Sequence, residues 1–321
     1  MSRASLAIAI LCAACGDDNK VAPDGAALDA ALDTAPLPDA PVVAWMSQVD
    51  CATFSCMTIP GSHDSGATHD LLPDTSKAQD LTITEQLDAG VRYFDIRLKR
   101  VDDLLTVFHG GIDQDLTFQQ VLDQMQAFQA AYPTEAILMS VKEETTPGHS
   151  VNSFETDFLA YVTAAPDRWV LGASVPSLAD AAGKLVLVRR FDATTSPLGI
   201  DATNWADNAT FDITDADAQM HIEDNYIVTD VAQKWTQITD ALTAAEQDSG
   251  PTLHLTYTSG YVTLPNGLPS ISMVSSVIDP QLATLVPGSA PPLGVVVMDH
   301  VTPSLVQTVY SCNRFILTRP E

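Results

Sequence analysis

The sequence predicts an α/β protein: a single globular domain built as an irregular (β/α)8 barrel of the TIM type. Three observations predict it. Eight short apolar runs are separated by longer amphipathic stretches, polar residues stand at the C-terminal ends of those runs, and no glycine-rich turn follows the first of them. The runs lie at 56–60, 91–97, 104–109, 136–142, 184–190, 221–226, 252–258 and 294–299. They are near-continuous rather than alternating, as strands buried on both faces of a parallel sheet are. Amphipathic segments at 117–131 and 231–245, with another near 153–164, read as connecting helices. An open doubly wound sheet would want the missing glycine-rich turn, so the barrel is preferred.

The chain has 321 residues, 46% of them apolar, which is enough for a sizeable core. Its 41 acidic and 15 basic side chains give a formal net charge of −26. That balance argues against nucleic acid as a partner, because phosphate-backbone binding needs clustered Lys and Arg. It argues equally against attachment to anionic lipid through a basic patch. Solubility is the plainest meaning of the charge.

Residues 1–3, with Arg3, form a short positive start, and an apolar run follows over 4–14. The run is too short to span a membrane and suits a signal-peptide core. It ends in Ala13-Ala14-Cys15-Gly16, which looks like a bacterial lipoprotein processing site, with Cys15 as the lipid-bearing residue. Cys12 stands where such sites usually have Leu, and an ordinary signal peptide cut nearby is the alternative. Residues 16–43, rich in Asp, Ala and Pro, read as a solvated tether, leaving 44–321 as the globular domain. The expected location is a bacterial cell envelope or its exterior. Export permits a disulfide among Cys51, Cys56 and Cys312. Cys51–Cys56 is the short-range option, and every pairing leaves one thiol over. No cysteine pair is spaced with histidines as zinc ligands are, so no metal is expected.

The chemistry gathers at the strand ends, where barrels keep their active sites. His63 and Asp64 follow the first strand, Asp95 and Arg97 end the second, and His109 ends the third. Lys142, Arg190, Asp224 and Asp299 end the fourth, fifth, sixth and eighth. Each alone is commonplace, but seven strands doing it together is hard to attribute to chance. Asp95 and Arg97 are two apart and share a strand face, which fits a guanidinium aimed at phosphate oxygens. A buried structural ion pair is the bland alternative. Pro60 and Gly61 make a sharp exit that puts His63 on the rim. Two histidines, His63 and His109, then offer a general base and a general acid, with Asp299 and Asp64 available to orient them. His69, His149, His221, His254 and His300 read as surface or satisfied histidines. Lys142 could instead pair with Glu144, Arg189 competes with Arg190, and Tyr226 could be a core aromatic.

The run Met57-Thr58-Ile59-Pro60-Gly61-Ser62-His63-Asp64-Ser65 resembles the first signature of the phosphatidylinositol-specific phospholipase C catalytic domain. Gly90-Val91-Arg92-Tyr93-Phe94-Asp95-Ile96-Arg97, followed by Phe108-His109-Gly110, resembles its second. The segments 132–142 and 294–299 are similar to later blocks, in the same order. The resemblance runs from about Trp45 to the C-terminus and implies the irregular barrel. It also implies an enzyme of the metal-independent bacterial type, a phosphodiester lyase releasing diacylglycerol and inositol 1,2-cyclic phosphate from phosphatidylinositol or its glycosylated form. In that role His63 is the base, His109 the acid, and Arg97 the stabiliser of the phosphoryl group. Asp299 orients His63, Asp64 supports His109 and Asp95 holds Arg97. Lys142, Arg190, Asp224 and Tyr226 resemble the headgroup contacts. No cofactor is implied, since Arg97 stands where calcium-dependent relatives bind the ion.

Partners follow from the same resemblance: an inositol lipid, transient contact with a membrane surface, no nucleic acid, and a monomeric enzyme. The segment 67–81 has no aromatic residue. The later segment 261–292, with Tyr261, Leu264, Leu268, Ile271 and Met273, is either a covering loop or a lipid contact. Two other readings stand beside the first. One is a different phosphodiesterase on this barrel, acting on glycerophosphodiesters or sphingolipids. The other is a catalytically silent surface barrel that binds a polyol or glycan.

Overall fold

The computed structural model describes residues 43–145, 151–285 and 291–316, all within the compact unit Leu37–Glu321. The leader expected over 1–15, the tether expected over 16–43 (Val43 excepted) and His149 lie outside the described residues. Strand β1 (Thr58–Ser62) leads through helix α1 (Ile83–Ala89) to β2 (Tyr93–Val101). A hairpin of β3 (Leu104–His109) and β4 (Ile112–Thr117) precedes α2 (Phe118–Ala131). There follow β5 (Ile137–Glu143), α3 (Phe154–Ala164), β6 (Trp169–Val170), α4 (Leu178–Ala181) and β7 (Leu185–Arg190). Next come β8 (Ile200–Asp201), β9 (Ala209–Thr214), β10 (Gln219–Asp224), α5 (Val231–Gln247) and β11 (Leu253–Tyr257). The small hairpin β12 (Val262–Thr263) and β13 (Pro269–Ser270), helix α6 (Ser272–Leu282), β14 (Gly294–Met298) and α7 (Pro303–Tyr310) complete the order.

The main sheet runs β6-β7-β5-β2-β1-β14-β11-β10-β9. Neighbours from β6 to β10 are parallel, and β9 closes the row antiparallel to β10. The last parallel strand in sequence, β14, pairs with the first, β1, which curls the sheet into an irregular barrel. Helices start where the sequence caps them. Thr82 and Glu85 form a capping box on α1, as do Thr117 and Gln120 on α2, and Ser153 caps α3.

Seven of the eight expected strands take parallel places, and one does not. The run 104–109 is an antiparallel arm paired to β2, not a stave. The cause is the two-residue turn Asp102-Asp103, whose φ values of 50° and 62° are those of a tight hairpin. Such a turn cannot join parallel strands, which need a crossover of about a dozen residues. The eighth parallel place, beside β7, is shared by the short β6 and β8, which the apolar pattern did not single out. Cys51 and Cys56 are joined in a disulfide, and Cys312 is a buried thiol outside it.

Alternation along β2 separates core from site. Phe94, Ile96 and Leu98 are fully buried on one face, while Tyr93, Asp95 and Arg97 share the other. The parallel register then carries the inward row across the sheet. Arg97 pairs with Lys142 and Lys142 with Arg190, while one rung below Asp95 pairs with Ser140. Three cations therefore stand abreast, at the C-terminal ends of β5 and β7 and midway along β2, which runs on to Val101 in the arm. At the opposite end of β2, Arg92 is buried and donates to Glu135 Oε2 at 2.8 Å, with its guanidinium 4.4 Å over the Phe128 ring. Features at that face of a barrel serve stability.

Candidate active site

Beyond β1 the backbone of His63 is pinned before its ring is. Its N–H donates to Met298 O at 2.9 Å, and the Gln79 amide donates to both His63 O (2.8 Å) and Met298 O (2.9 Å). The imidazole Nδ1 lies 2.7 Å from Asp299 Oδ1, and Asp299 Oδ2 accepts the Gly260 N–H at 3.2 Å. Arg97 donates from Nη2 to His63 Nε2 at 2.7 Å and from Nε to Asp95 Oδ2 at 3.0 Å. In the neutral tautomer these contacts define, Nδ1 carries the proton toward Asp299 and the Nε2 lone pair accepts the Arg97 N–H. Asp95 is fixed in turn by Ser140 Oγ at 3.4 Å and Arg190 Nη1 at 3.3 Å.

His109 reaches the same place from the β3–β4 hairpin. Its Nδ1 lies 3.1 Å from Asp64 Oδ2, an ion-pair distance, although neither the Asp64 carboxylate nor this nitrogen makes a hydrogen bond. Asp64 is completely buried and holds a φ of 40°, a conformation uncommon outside glycine. The next turn needs glycine for space: a Cβ on Gly66 would sit 2.8 Å from Val107 Cγ1 of β3. Gly110, with φ 54°, turns the chain after His109 and donates its N–H to Glu144 Oε1 at 2.9 Å.

A cleft of about 590 Å³ opens above these groups. Eight of the ten residues singled out from sequence line it: His63, Arg97, His109, Lys142, Arg190, Asp224, Tyr226 and Asp299. The other two, Asp64 and Asp95, are buried beneath it against Arg97, at 3.8 and 3.0 Å. The alternative partner of Lys142 is the one observed, with its Nζ 2.7 Å from Glu144 Oε2. Arg189 turns away to Leu198 O, Phe191 O and Thr203 Oγ1, while Arg190 lines the cleft. Tyr226 lies past the end of β10 and donates to Asp207 Oδ1 at 2.6 Å, a rim contact rather than a core one. His221, His254 and His300 each meet an aspartate outside the cleft. Two residues of the site escaped sequence reasoning. Glu144 appeared there only as a rival partner for Lys142, and Trp205 not at all. Trp205 donates from Nε1 to Asp224 Oδ2 at 2.9 Å, and its ring lies under the Arg190 guanidinium at 3.7 Å.

The charges adjust one another. Burial works against the charged form of His63, but the Asp299 carboxylate outweighs it and lifts the imidazole above its ordinary value, against the pull of Arg97. Burial also pushes the Asp95 carboxyl up, yet Arg97 and Arg190 reverse this and hold it well below the usual carboxylate range. Asp64 goes the other way, raised by burial despite His109 and Arg97. Burial disfavours the Arg97 charge, and Asp95, Asp64 and Glu144 more than restore it. Among the described residues no three His, Cys, Asp or Glu side chains are grouped to hold a metal ion. No helix among them is long and apolar enough to cross a membrane.

A strand-end site with two carboxylate-backed histidines flanking a guanidinium belongs to a recognisable class of barrel. Residues 52–191 match the family model for the phosphatidylinositol-specific phospholipase C X domain. A curated relative, the 1-phosphatidylinositol phosphodiesterase of Staphylococcus aureus (strain Newman), is 34% identical over 198 residues. That match covers 57% of this chain and 64% of the relative, so it spans less than two thirds of that protein's length. The protein of the same name from Listeria monocytogenes is 26% identical over 287 residues, covering 84% of this chain and 85% of the relative. Among solved structures, a pentafluoro-Phe form of the Staphylococcus aureus phosphatidylinositol-specific phospholipase C superposes with a TM-score of 0.77 at 27% identity. It covers 85% of this chain and 98% of that one, which confirms the barrel.

Proposed function

We propose that the protein cleaves the phosphodiester of phosphatidylinositol or of a glycosylated inositol lipid, without a metal ion. One observation carries the reading. The Arg97 guanidinium is shared between His63 Nε2 and Asp95, while the far side of the His63 ring is fixed by Asp299. A base with a defined lone pair beside a clamped cation suits the attack of a neighbouring hydroxyl on a phosphodiester.

In the proposed reaction a phosphoryl oxygen competes for Arg97, and the released Nε2 takes the proton of the inositol 2-hydroxyl. The oxygen left behind bonds to phosphorus and closes the cyclic phosphate. The bond from phosphorus to the glycerol oxygen breaks, and His109, backed by Asp64, donates the proton that makes diacylglycerol. Arg97 stabilises the charge on the phosphoryl oxygens throughout, and Asp95 fixes its plane. Lys142, Arg190, Asp224 and Tyr226 surround the sugar ring. The relatives' names support this substrate class, and one solved form of the staphylococcal enzyme concerns modulation of its membrane binding. Transient docking on a lipid surface, export through a leader at 1–15 and a monomeric enzyme belong to the same proposal.

Phosphorus NMR of the purified protein with phosphatidylinositol in detergent and EDTA tests it. The expected result is a resonance of inositol 1,2-cyclic phosphate that is absent with His63→Ala or His109→Ala. No product, with none restored by calcium or a glycosylated substrate, rejects the lyase and leaves a binding barrel.

A further inference from the structure

Two charged groups proposed to meet the sugar ring face one cleft without neutralising each other. Arg190 is a cation with its side chain only 6% exposed, and its ion pair runs down to Asp95 Oδ1 at 3.3 Å. Its Nε is buried and has no hydrogen-bond partner. An orphaned buried donor costs stability, so its retention calls for an explanation. Asp224, 5% exposed, is an anion on the same cleft. Between them stands Trp205, with its face against the Arg190 guanidinium at 3.7 Å and its N–H on Asp224 Oδ2 at 2.9 Å.

We propose that Trp205 is a positioning residue that keeps Arg190 and Asp224 apart, and so preserves a subsite for adjacent hydroxyls of a cyclic polyol. This rests on the inositol reading above. A guanidinium only donates and a carboxylate only accepts. Held apart, they offer one donor and one acceptor to two hydroxyls that can each do both. Collapsed together, they satisfy each other and the subsite is lost.

The indole is built to stay where it is. Its ring meets Tyr257 edge-on at 5.7 Å and Phe211 edge-on at 5.6 Å. The loop that carries it is tied down on both sides. Thr203 accepts from Arg189 Nη1 at 2.6 Å and donates its N–H to Asp201 at 2.9 Å, and Asn208 accepts the Ile227 N–H at 2.8 Å. Consecutive arginines thus divide the work: Arg189 anchors the loop from the outer face, and Arg190 lies against the tryptophan on the inner one.

The test is steady-state kinetics on glycerophosphoinositol, a soluble substrate that avoids interfacial effects. It compares wild type, Trp205→Phe, Trp205→Ala, Asp224→Asn and the double variant Trp205→Ala/Asp224→Asn, with thermal melts alongside. Trp205→Ala is expected to raise KM about tenfold or more, what one hydrogen bond to a charged group is worth, with a smaller change in kcat. Trp205→Phe keeps a ring under Arg190 but loses the N–H, and is expected to raise KM about threefold to tenfold at an unchanged Tm. Asp224→Asn is expected to cost much less in the Trp205→Ala background than in wild type, because there the carboxylate has already collapsed onto Arg190 and no longer serves the substrate. Unchanged KM in both tryptophan variants, or effects of Trp205→Ala and Asp224→Asn that simply multiply, overturns the inference. If Trp205→Ala does not fold, the KM of Trp205→Phe decides. An active wild type with an indifferent Trp205 rejects only this inference. A wild type inert on every inositol substrate rejects the functional reading and the inference with it.

Discussion

Replacing Asp299 by Asn removes one charge and should disable the base. The two carboxylate oxygens have separate tasks: Oδ1 receives His63 Nδ1 at 2.7 Å and Oδ2 receives the Gly260 N–H at 3.2 Å. An asparagine has one oxygen for two donors. If that oxygen faces Gly260, the amide N–H₂ faces Nδ1, which must then accept. The imidazole proton moves to Nε2, where it meets an Arg97 donor at 2.7 Å, and the lone pair that would take the substrate proton is gone. Loss of the charge-assisted hydrogen bond alone is worth about 1.5–3 kcal/mol, or roughly tenfold to a hundredfold in rate. Inverting the tautomer takes the expected loss to about 10³–10⁴-fold, the scale seen when a histidine base loses its orienting carboxylate. The assay is initial rate of phosphatidylinositol cleavage in detergent micelles across pH. Wild-type activity should rise with pH through a midpoint above the ordinary histidine value, because a protonated His63 cannot accept a proton and Asp299 raises its pKa. In the variant that acid limb should move to lower pH. Stability runs the opposite way. A folded value raised above the unfolded one, about 6.5, favours the protonated ring, so this contribution is full below the unfolded value. It is lost as pH rises through the folded one. Turnover within about threefold of wild type with an unmoved acid limb would refute the tautomer argument.

Three further outcomes follow from the same geometry. Arg97→Lys cannot hold Asp95 and His63 with one planar fork, and turnover on phosphatidylinositol should fall by about 10²–10³-fold while the circular dichroism spectrum stays that of wild type. Glu135→Gln leaves Arg92 as a buried charge with a weakened partner, and urea unfolding should show a loss of up to about 3–5 kcal/mol with little change in KM. Burial and then the charge of Asp299 push the Asp279 carboxyl up to about 7, so its ionisation opposes folding as pH rises from the unfolded carboxylate range toward that value. Asp279→Asn should therefore raise Tm at pH 8 and change it less at pH 5, which a pair of thermal melts decides.

Much of the fold is readable because parallel strands are hydrophobic on both faces and stand out as runs. The error at 104–109 has a physical cause that the same sequence contains. Only six residues separate Arg97 from Leu104, too few for the crossover a parallel neighbour requires. Apolar content marks a strand but not its direction, whereas connection length does, and here length was the better guide. The short β6 was invisible for the opposite reason: two residues, Trp169 and Val170, make no pattern.

The site divides along the same line. Residues that a strand carries to its C-terminal end are legible, since position along the strand gives depth and parity gives face. Arg97, Lys142 and Arg190 are then forced into one row by the register of β2, β5 and β7. Three like charges abreast would repel one another without counter-charge, and the carboxylates that supply it are one rung down or two residues on: Asp95 at 3.0 and 3.3 Å, and Glu144 at 2.7 Å from Lys142. Glu144 is therefore what a row of three cations demands, and asking how that row is neutralised would have found it from sequence. No such demand points to Trp205. It sits in the irregular connection between β8 and β9, where neither period nor parity applies, and its partners Arg190 and Asp224 lie fifteen and nineteen positions away on different strands. A residue that works by keeping two charges apart leaves no trace in the local pattern, because the contact it prevents is absent from the folded chain.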